Sequence, residues 1–297
     1  MITLSRGRCG LSRCITYYLV AIAVSDFLVI ITTVILNRIG RIYFRNSVLS
    51  TTPGCAVSIM LGFATRDGSV WLTVAFTIDR FIAICCQSLK TRYCTEKTAL
   101  LVTGLICAIS CVKNAPLYFV CRPLYIVDGV PWFCDRRPTY FTMPAWKAYD
   151  WLDRILTPFF PFFFILLLNV LTVRHILAAS RARKRLRGAA SHGDSELANR
   201  KRSIILLFAI ALSFLLLWTT HVVHFFYVRI KGKGYFNSSD FSDPQYILQE
   251  TGNMLQLVSS CNNVFIYAVA QTKFREELKS VLMWPFTGCV KRQQYTL

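Results

Sequence analysis

Six apolar runs, each close to the twenty or so residues needed to cross a bilayer as a helix, constrain this chain more than any other feature. They fall near 14–36, 56–85, 98–120, 151–178, 203–228 and 247–269. In lipid every backbone N–H and C=O must be satisfied within the protein, so only helices or a closed barrel can span it. No alternation of barrel type occurs, which leaves an all-α, polytopic transmembrane bundle. Charged residues make up only 16% of the chain, against about 25% in soluble domains, in agreement with that class.

The formal net charge of +19 would suit a nucleic-acid partner only if the basic residues gathered on one soluble face. They lie instead between the apolar runs: Arg6, Arg8 and Arg13; Lys90, Arg92 and Lys97; Arg174 through Arg202; then Lys273, Arg275, Lys279, Lys291 and Arg292. The intervening segments carry roughly half as many, so the positive-inside rule puts the N-terminus on the cytoplasmic side. A glycosylation sequon, Asn237-Ser238-Ser239, then falls outside. Membrane lipids are expected partners and nucleic acid is not. Met1–Arg13 lacks the apolar core of a cleavable signal.

Most of the twelve cysteines lie in or beside apolar runs and read as small hydrophobes. Cys55 and Cys134 stand on the outer, oxidising side, where a disulfide is expected, with Cys121 as the competing partner. After the last run, Phe274, Leu278, Val281 and Leu282 recur at helical spacing among charges. This predicts a short amphipathic helix on the inner surface and divides the chain into a bundle over 1–270 and a tail over 271–297. Cys289 is a candidate for palmitoylation.

Within the second run, WLTVAFTIDRFIAICC, Asp79 and Arg80 interrupt the apolar pattern. Arg80 lies 25 residues beyond Cys55, about 37 Å along a helix, so the two are expected at the inner water boundary, where they can pair or snorkel. Arg66 and Asp67 sit about 21 Å further out, too deep for lipid exposure, and must face the interior or a watery cavity. For Arg66 two readings stay open: a site for an anionic ligand group, or an ion pair with a neighbouring helix. His221 and His224 share a helical face, as do Asn253 and Gln256. No further ligands at suitable spacing make the histidines a metal site, so all four are read as pocket lining, with satisfied core residues as the alternative. No nucleophile–base pairing or phosphate loop appears, which disfavours an enzyme.

These residues resemble the rhodopsin-like (class A) G-protein-coupled receptors over nearly the whole chain. Cys55 matches the disulfide cysteine that opens the family's third helix, and Asp79-Arg80-Phe81 matches its Asp/Glu-Arg-Tyr motif, with phenylalanine for tyrosine. Ala23–Asp26 matches the second-helix aspartate motif, Ser69 a residue that helps hold sodium, and Asn263–Tyr267 the Asn-Pro-x-x-Tyr motif with Val264 for proline. Pro161 resembles the fifth-helix proline, and Phe214 with Trp218 the sixth-helix switch, where Thr220 replaces proline; Asn169 stands where the fifth helix usually has tyrosine.

The resemblance implies a plasma-membrane receptor for a small-molecule or peptide ligand, coupled to a heterotrimeric G protein. Asp79, Arg80, Trp218, Asn263 and Tyr267 would be its switch, and Asp26, Ser69 and Asn263 a possible sodium site. It is nearest the orphan branch related to receptors for aromatic amino acids and peptides. RGRCGLSRC resembles the first inner loop, so the seven-helix fold is represented by six, as expected of a fragment, a wrong gene model or a truncated isoform. The competing functions are a non-signalling truncated product and a six-helix channel or transporter; the latter predicts matched broken helices, which are not evident.

Overall fold

The computed structural model describes residues 12–186, 194–231 and 242–270, together with 275, 276 and 279. The Asn237 sequon, Phe274, Cys289 and almost all of the expected amphipathic tail lie outside the described residues. So does the side chain of Tyr267, although its backbone is helical.

Six long helices form among the described residues. α1 is Arg13–Ile39, opened by the Ser12 side chain accepting from the Ile15 N–H, which satisfies one of the orphan donors of a helix start. It buries Cys14, Tyr18, Ile22, Asp26 and Val29, a three-to-four spacing that makes one continuous face. α2, Thr52–Cys85, is opened by Thr51 with Pro53 in the first turn, where a missing N–H costs nothing. α3 is Glu96–Val120. α4 comprises Pro144–Arg154, Ile155–Phe159 and Phe160–Leu186. α5 is Asp194–Lys231 and α6 is Pro244–Ala270. α5 runs unbroken through Thr220 and α6 through Val264, since neither position has the proline that removes a backbone bond. The break in α4 falls at Thr157, which leaves helical geometry (φ −151°, ψ 102°) just before Pro158, not at Pro161.

Among the described residues five spans, in α1 to α5, are long and apolar enough to cross a membrane. α6 has the length, 27 residues, but is too polar by the same measure. Its Asn253, Gln256 and Asn263 line the interior cavity, so the sixth apolar run is less apolar than a lipid-exposed helix would be.

α2 is the central pillar, with 56% of its span buried inside the bundle, whereas α3 has 17% and turns Leu101, Leu105, Ile109 and Val112 outward. α2 packs against α1, α3 and α4, while α5 and α6 pack along each other. Without a hydrophobic drive between helices in lipid, close fit supplies the attraction. At Gly68 a Cβ would lie 3.2 Å from Ser25 Oγ, so the glycine lets α1 and α2 approach. The core divides into an inner cluster around Leu19, Leu72 and Phe76, a middle cluster around Val74, Ile165, Phe214 and Trp218, and an outer one around Leu117, Val120 and Tyr140.

Between α3 and α4 the chain forms two small antiparallel ladders. β1 (Cys121–Arg122) pairs with β4 (Asp135–Arg136), and β2 (Tyr125–Val127) with β3 (Val130–Trp132). Asp128 and Gly129 both have positive φ, 51° and 72°, the two-residue turn whose twist suits a hairpin. The Cys55–Cys134 disulfide ties this loop to α2, and Thr52 Oγ1 donates to Phe133 O at 2.7 Å beside it. Cys121, the competing partner, is instead buried at the base of β1, 3.8 Å from Leu117 O. Tyr140, Trp146 and Tyr149 pack into the outer cluster with Phe63.

Candidate functional site

At the inner end of α2 the Asp79 carboxylate ion-pairs with Arg80 and accepts from Arg80 Nε at 3.0 Å. Both side chains are under one-tenth exposed. Of the two sequence alternatives the charges pair, and protein encloses them. Two thiols help enclose it: Cys14 Sγ donates to Asp79 Oδ1 at 3.2 Å, and Cys94 Sγ to the Asp79 carbonyl at 3.5 Å. Burial pushes the Cys94 thiol up to about 11, so it stays a protonated donor. Neither cysteine stood out in the sequence, because their only signal is spatial.

Some three turns outward, Asp26 on α1 is 4% exposed. Ser69 Oγ donates to its Oδ1 at 2.5 Å, and Asn263 Nδ2 to its Oδ2 at 2.7 Å. α1, α2 and α6 are thus joined by one buried carboxylate, and the three residues proposed from the resemblance as a sodium site meet. A carboxylate beside hydroxyls, with Thr73 and Ser260 lining the same space, is a hard oxygen set of the kind that suits a small hard cation. Among the described residues there is no cluster of three or more His, Cys, Asp or Glu for a transition metal.

The space above Asp26 opens into a cavity of about 280 Å³. Arg66, His221, His224, Asn253 and Gln256 all line it, although they come from three helices. Trp218 lies in its wall, stacked on Phe214 with centroids 5.1 Å apart, and meets the His221 ring edge-on at 6.1 Å. Asn253 donates to Glu250 Oε1 at 3.0 Å, and Glu250 Oε2 receives Arg38 Nη2 at 3.2 Å. His224 is fully enclosed, 2% exposed.

Arg66 and Asp67 part company. The Arg66 guanidinium lies over the Phe63 ring, 4.4 Å from its centroid, and makes no ion pair with a carboxylate among the described residues. Asp67 turns toward α3, where Lys113 Nζ lies at 2.6 Å and Asn114 Nδ2 donates at 2.7 Å. Lys113 also reaches Asp153 on α4 at 2.5 Å. Of the two sequence readings, the ion pair with a neighbouring helix belongs to Asp67, while Arg66 faces the cavity.

The sequence did not single out other lining residues as site candidates: Arg38, Arg136, Tyr140, Tyr149, Asp153 and Arg154. Arg154 Nε donates to both oxygens of Asp150 at 3.1 Å. In the outer loop, burial lowers the Arg136 pKa and raises that of the Tyr140 phenol to about 12.

With this geometry in view, the family model for seven-transmembrane receptors of the rhodopsin family matches residues 1–267. The chain is 26% identical over 291 residues to the FMRFamide receptor of Drosophila melanogaster, a match covering 93% of this chain and 49% of that receptor. It is 24% identical over 283 residues to G-protein coupled receptor 15 of Mus musculus, covering 91% and 70% of the two chains. Probable G-protein coupled receptor 142 of the same species is 23% identical over 282 residues, covering 94% and 68%. The chain thus spans about half the length of the first of these relatives.

Proposed function

This chain belongs to the rhodopsin family of seven-transmembrane receptors, and from that premise we propose that it converts ligand binding in the outer cavity into engagement of a heterotrimeric G protein at its inner end. The observation that carries the reading is that one helix, α2, bears Arg66 in the cavity and the enclosed Asp79–Arg80 pair at the opposite end. A displacement of α2 or its neighbours at one end is therefore felt at the other, about 21 Å away.

A ligand shifts a resting–active equilibrium only by binding the two states unequally. In the proposed cycle the ligand's anionic group sits on Arg66, with His221, His224, Asn253 and Gln256 around it. Its contact with Trp218 changes the stacking on Phe214, and the inner half of α5 swings outward. Arg80 then leaves Asp79 and receives the G protein beside Tyr267. A sodium ion held by Asp26 and Ser69 near Asn263 would favour the resting arrangement by tying α1, α2 and α6 together. We read α1 to α6 as the second to seventh helices of the family fold, with 271–297 as the tail, Asn237 glycosylated outside, and the receptor in the plasma membrane with Arg13 inside. The branch related to aromatic amino acid and peptide receptors is supported by the similarity to a receptor named for the FMRFamide peptide.

The test is guanine-nucleotide exchange by purified heterotrimers on the chain reconstituted in lipid nanodiscs. Acceleration of exchange on at least one G-protein class, lost in Arg80→Ala, is expected. No acceleration on any class, or surface labelling that puts the Asp79–Arg80 end outside the cell, refutes the reading.

A further inference from the structure

Arg66 faces the cavity without pairing to a carboxylate among the described residues, although Asp26, Asp150 and Asp153 line the same space. Two of these acids are committed to other groups. Asp26 receives Ser69 and Asn263, and Asp150 receives Arg154 Nε and the Tyr140 hydroxyl. Asp153 is within electrostatic reach of Arg66. Yet its Oδ1 is taken by Lys113 Nζ at 2.5 Å, and the same ammonium lies 2.6 Å from Asp67 Oδ2.

Charge in this corner is divided unevenly: two cations and two anions lie close together, and one cation takes both anions. Lys113 is well placed to do so. The Tyr149 hydroxyl donates to its carbonyl at 3.0 Å and pins its backbone. Asn114 Nδ2, next in the chain, donates to Asp67 at 2.7 Å and holds that acid toward α3. Lys113 does not itself line the cavity, so it grips Asp153 from outside the lining. Arg66 keeps only the Phe63 ring, 4.4 Å from its guanidinium carbon. Stacking uses the flat face of a guanidinium and leaves its N–H edge, the part that forks onto a carboxylate, for another group.

We propose that Lys113 is a positioning residue for ligand recognition: by holding Asp153 it keeps that acid from neutralising Arg66, and so reserves the guanidinium for an acidic ligand. Lys113 touches no ligand and acts through Asp153. The inference deepens the receptor reading, on which it rests for the cavity being the ligand site, by naming the residue that makes the cavity select an anion. Without Lys113, Asp153 turns to the nearest remaining cation, Arg66, because a buried carboxylate left unpaired is costly.

The test is phenylglyoxal labelling of the purified full chain in nanodiscs, read by mass spectrometry at the peptide containing Arg66. The reagent adds to the uncharged guanidine, a form that a neighbouring carboxylate disfavours tenfold or more. Labelling of Arg66 should therefore slow about tenfold in Lys113→Met, return to the wild-type rate when Asp153→Asn is added, and stay slow when Asp67→Asn is added instead. Lys113→Arg should label as the wild type does. Lys113→Gln gives the same reading should the methionine variant not fold, and unfolding would speed labelling, the opposite sign. A rate in both neutral variants equal to or above the wild type, or a slow rate that Asp153→Asn does not restore, overturns the proposal. Butyrate, hexanoate and octanoate, each against its own amide, then separate this inference from the reading beneath it: at least one acid should protect wild-type Arg66 where its amide does not. Protection by none overturns the anion site itself, whereas protection with unchanged labelling in Lys113→Met and Lys113→Gln overturns the role of Lys113 alone. Because no G protein is present, either failure is distinguishable from failure of the exchange assay.

Discussion

Replacing Lys113 with methionine removes the one ammonium that two carboxylates share. Its Nζ lies 2.6 Å from Asp67 and 2.5 Å from Asp153, and the three side chains are 18%, 3% and 13% exposed. Those exposures put the contact in the buried regime, where loss of one partner costs about 3–5 kcal/mol, rather than the surface regime of about 0–1 kcal/mol. Asp67 keeps its hydrogen bond from Asn114, and Asp153 can turn to the cavity. We therefore expect the lower end of the range, about 3 kcal/mol. At roughly 2–4 °C per kcal/mol for a chain of this order of size, the melting temperature should fall by roughly 6–12 °C. Thermal unfolding of purified protein in detergent, followed by intrinsic fluorescence, reads this directly. The triple variant Lys113→Met, Asp67→Asn, Asp153→Asn removes the charges together and should recover most of the loss, since a neutral packed cluster is often as stable as an ion pair. A single variant melting within about 2 °C of the wild type, or a triple variant no more stable than the single, would refute the argument that unpaired buried charge is what costs.

Three other outcomes are expected. Gly54→Ala should destabilise the outer end of α2 by about 1–3 kcal/mol, because the new Cβ runs into the Val48 carbonyl oxygen and lies 3.0 Å from Leu49 Cα, both of them backbone; a melting curve superimposable on the wild type counts against it. Sodium chloride should raise the melting temperature relative to choline chloride at equal ionic strength, as any ligand of the folded state does, and Asp26→Asn should abolish the difference; a sodium effect unchanged in that variant removes the cation from Asp26. Cys134→Ser opens a cross-link spanning 79 residues, worth about 4–5 kcal/mol by loop-closure entropy, and differential melting of the variant against the oxidised wild type measures it; equal stability would mean the tie to α2 constrains nothing.

Residue spacing alone carried much of the bundle. The lengths of the apolar runs and the charge bias are local properties, because a bilayer imposes its thickness and its polarity rule on each segment separately. Motif positions were legible through the resemblance to the receptor family: Asp26, Ser69 and Asn263 match its motifs on three helices, and they meet in the structure. What the sequence could not tell was the partner of each buried group. Asp67 and Arg66 are adjacent in the chain, yet one turns to Lys113 and the other to a cavity, because about 100° of helical rotation separates them and different neighbours stand on each side. Arg136 looks like any loop arginine until β1–β4 pairing and the disulfide fold it inward. Local patterning decided which segments span the membrane and where their charges lie along the axis; only tertiary packing decided which helix faces which, since that depends on side-chain fit between segments distant in sequence.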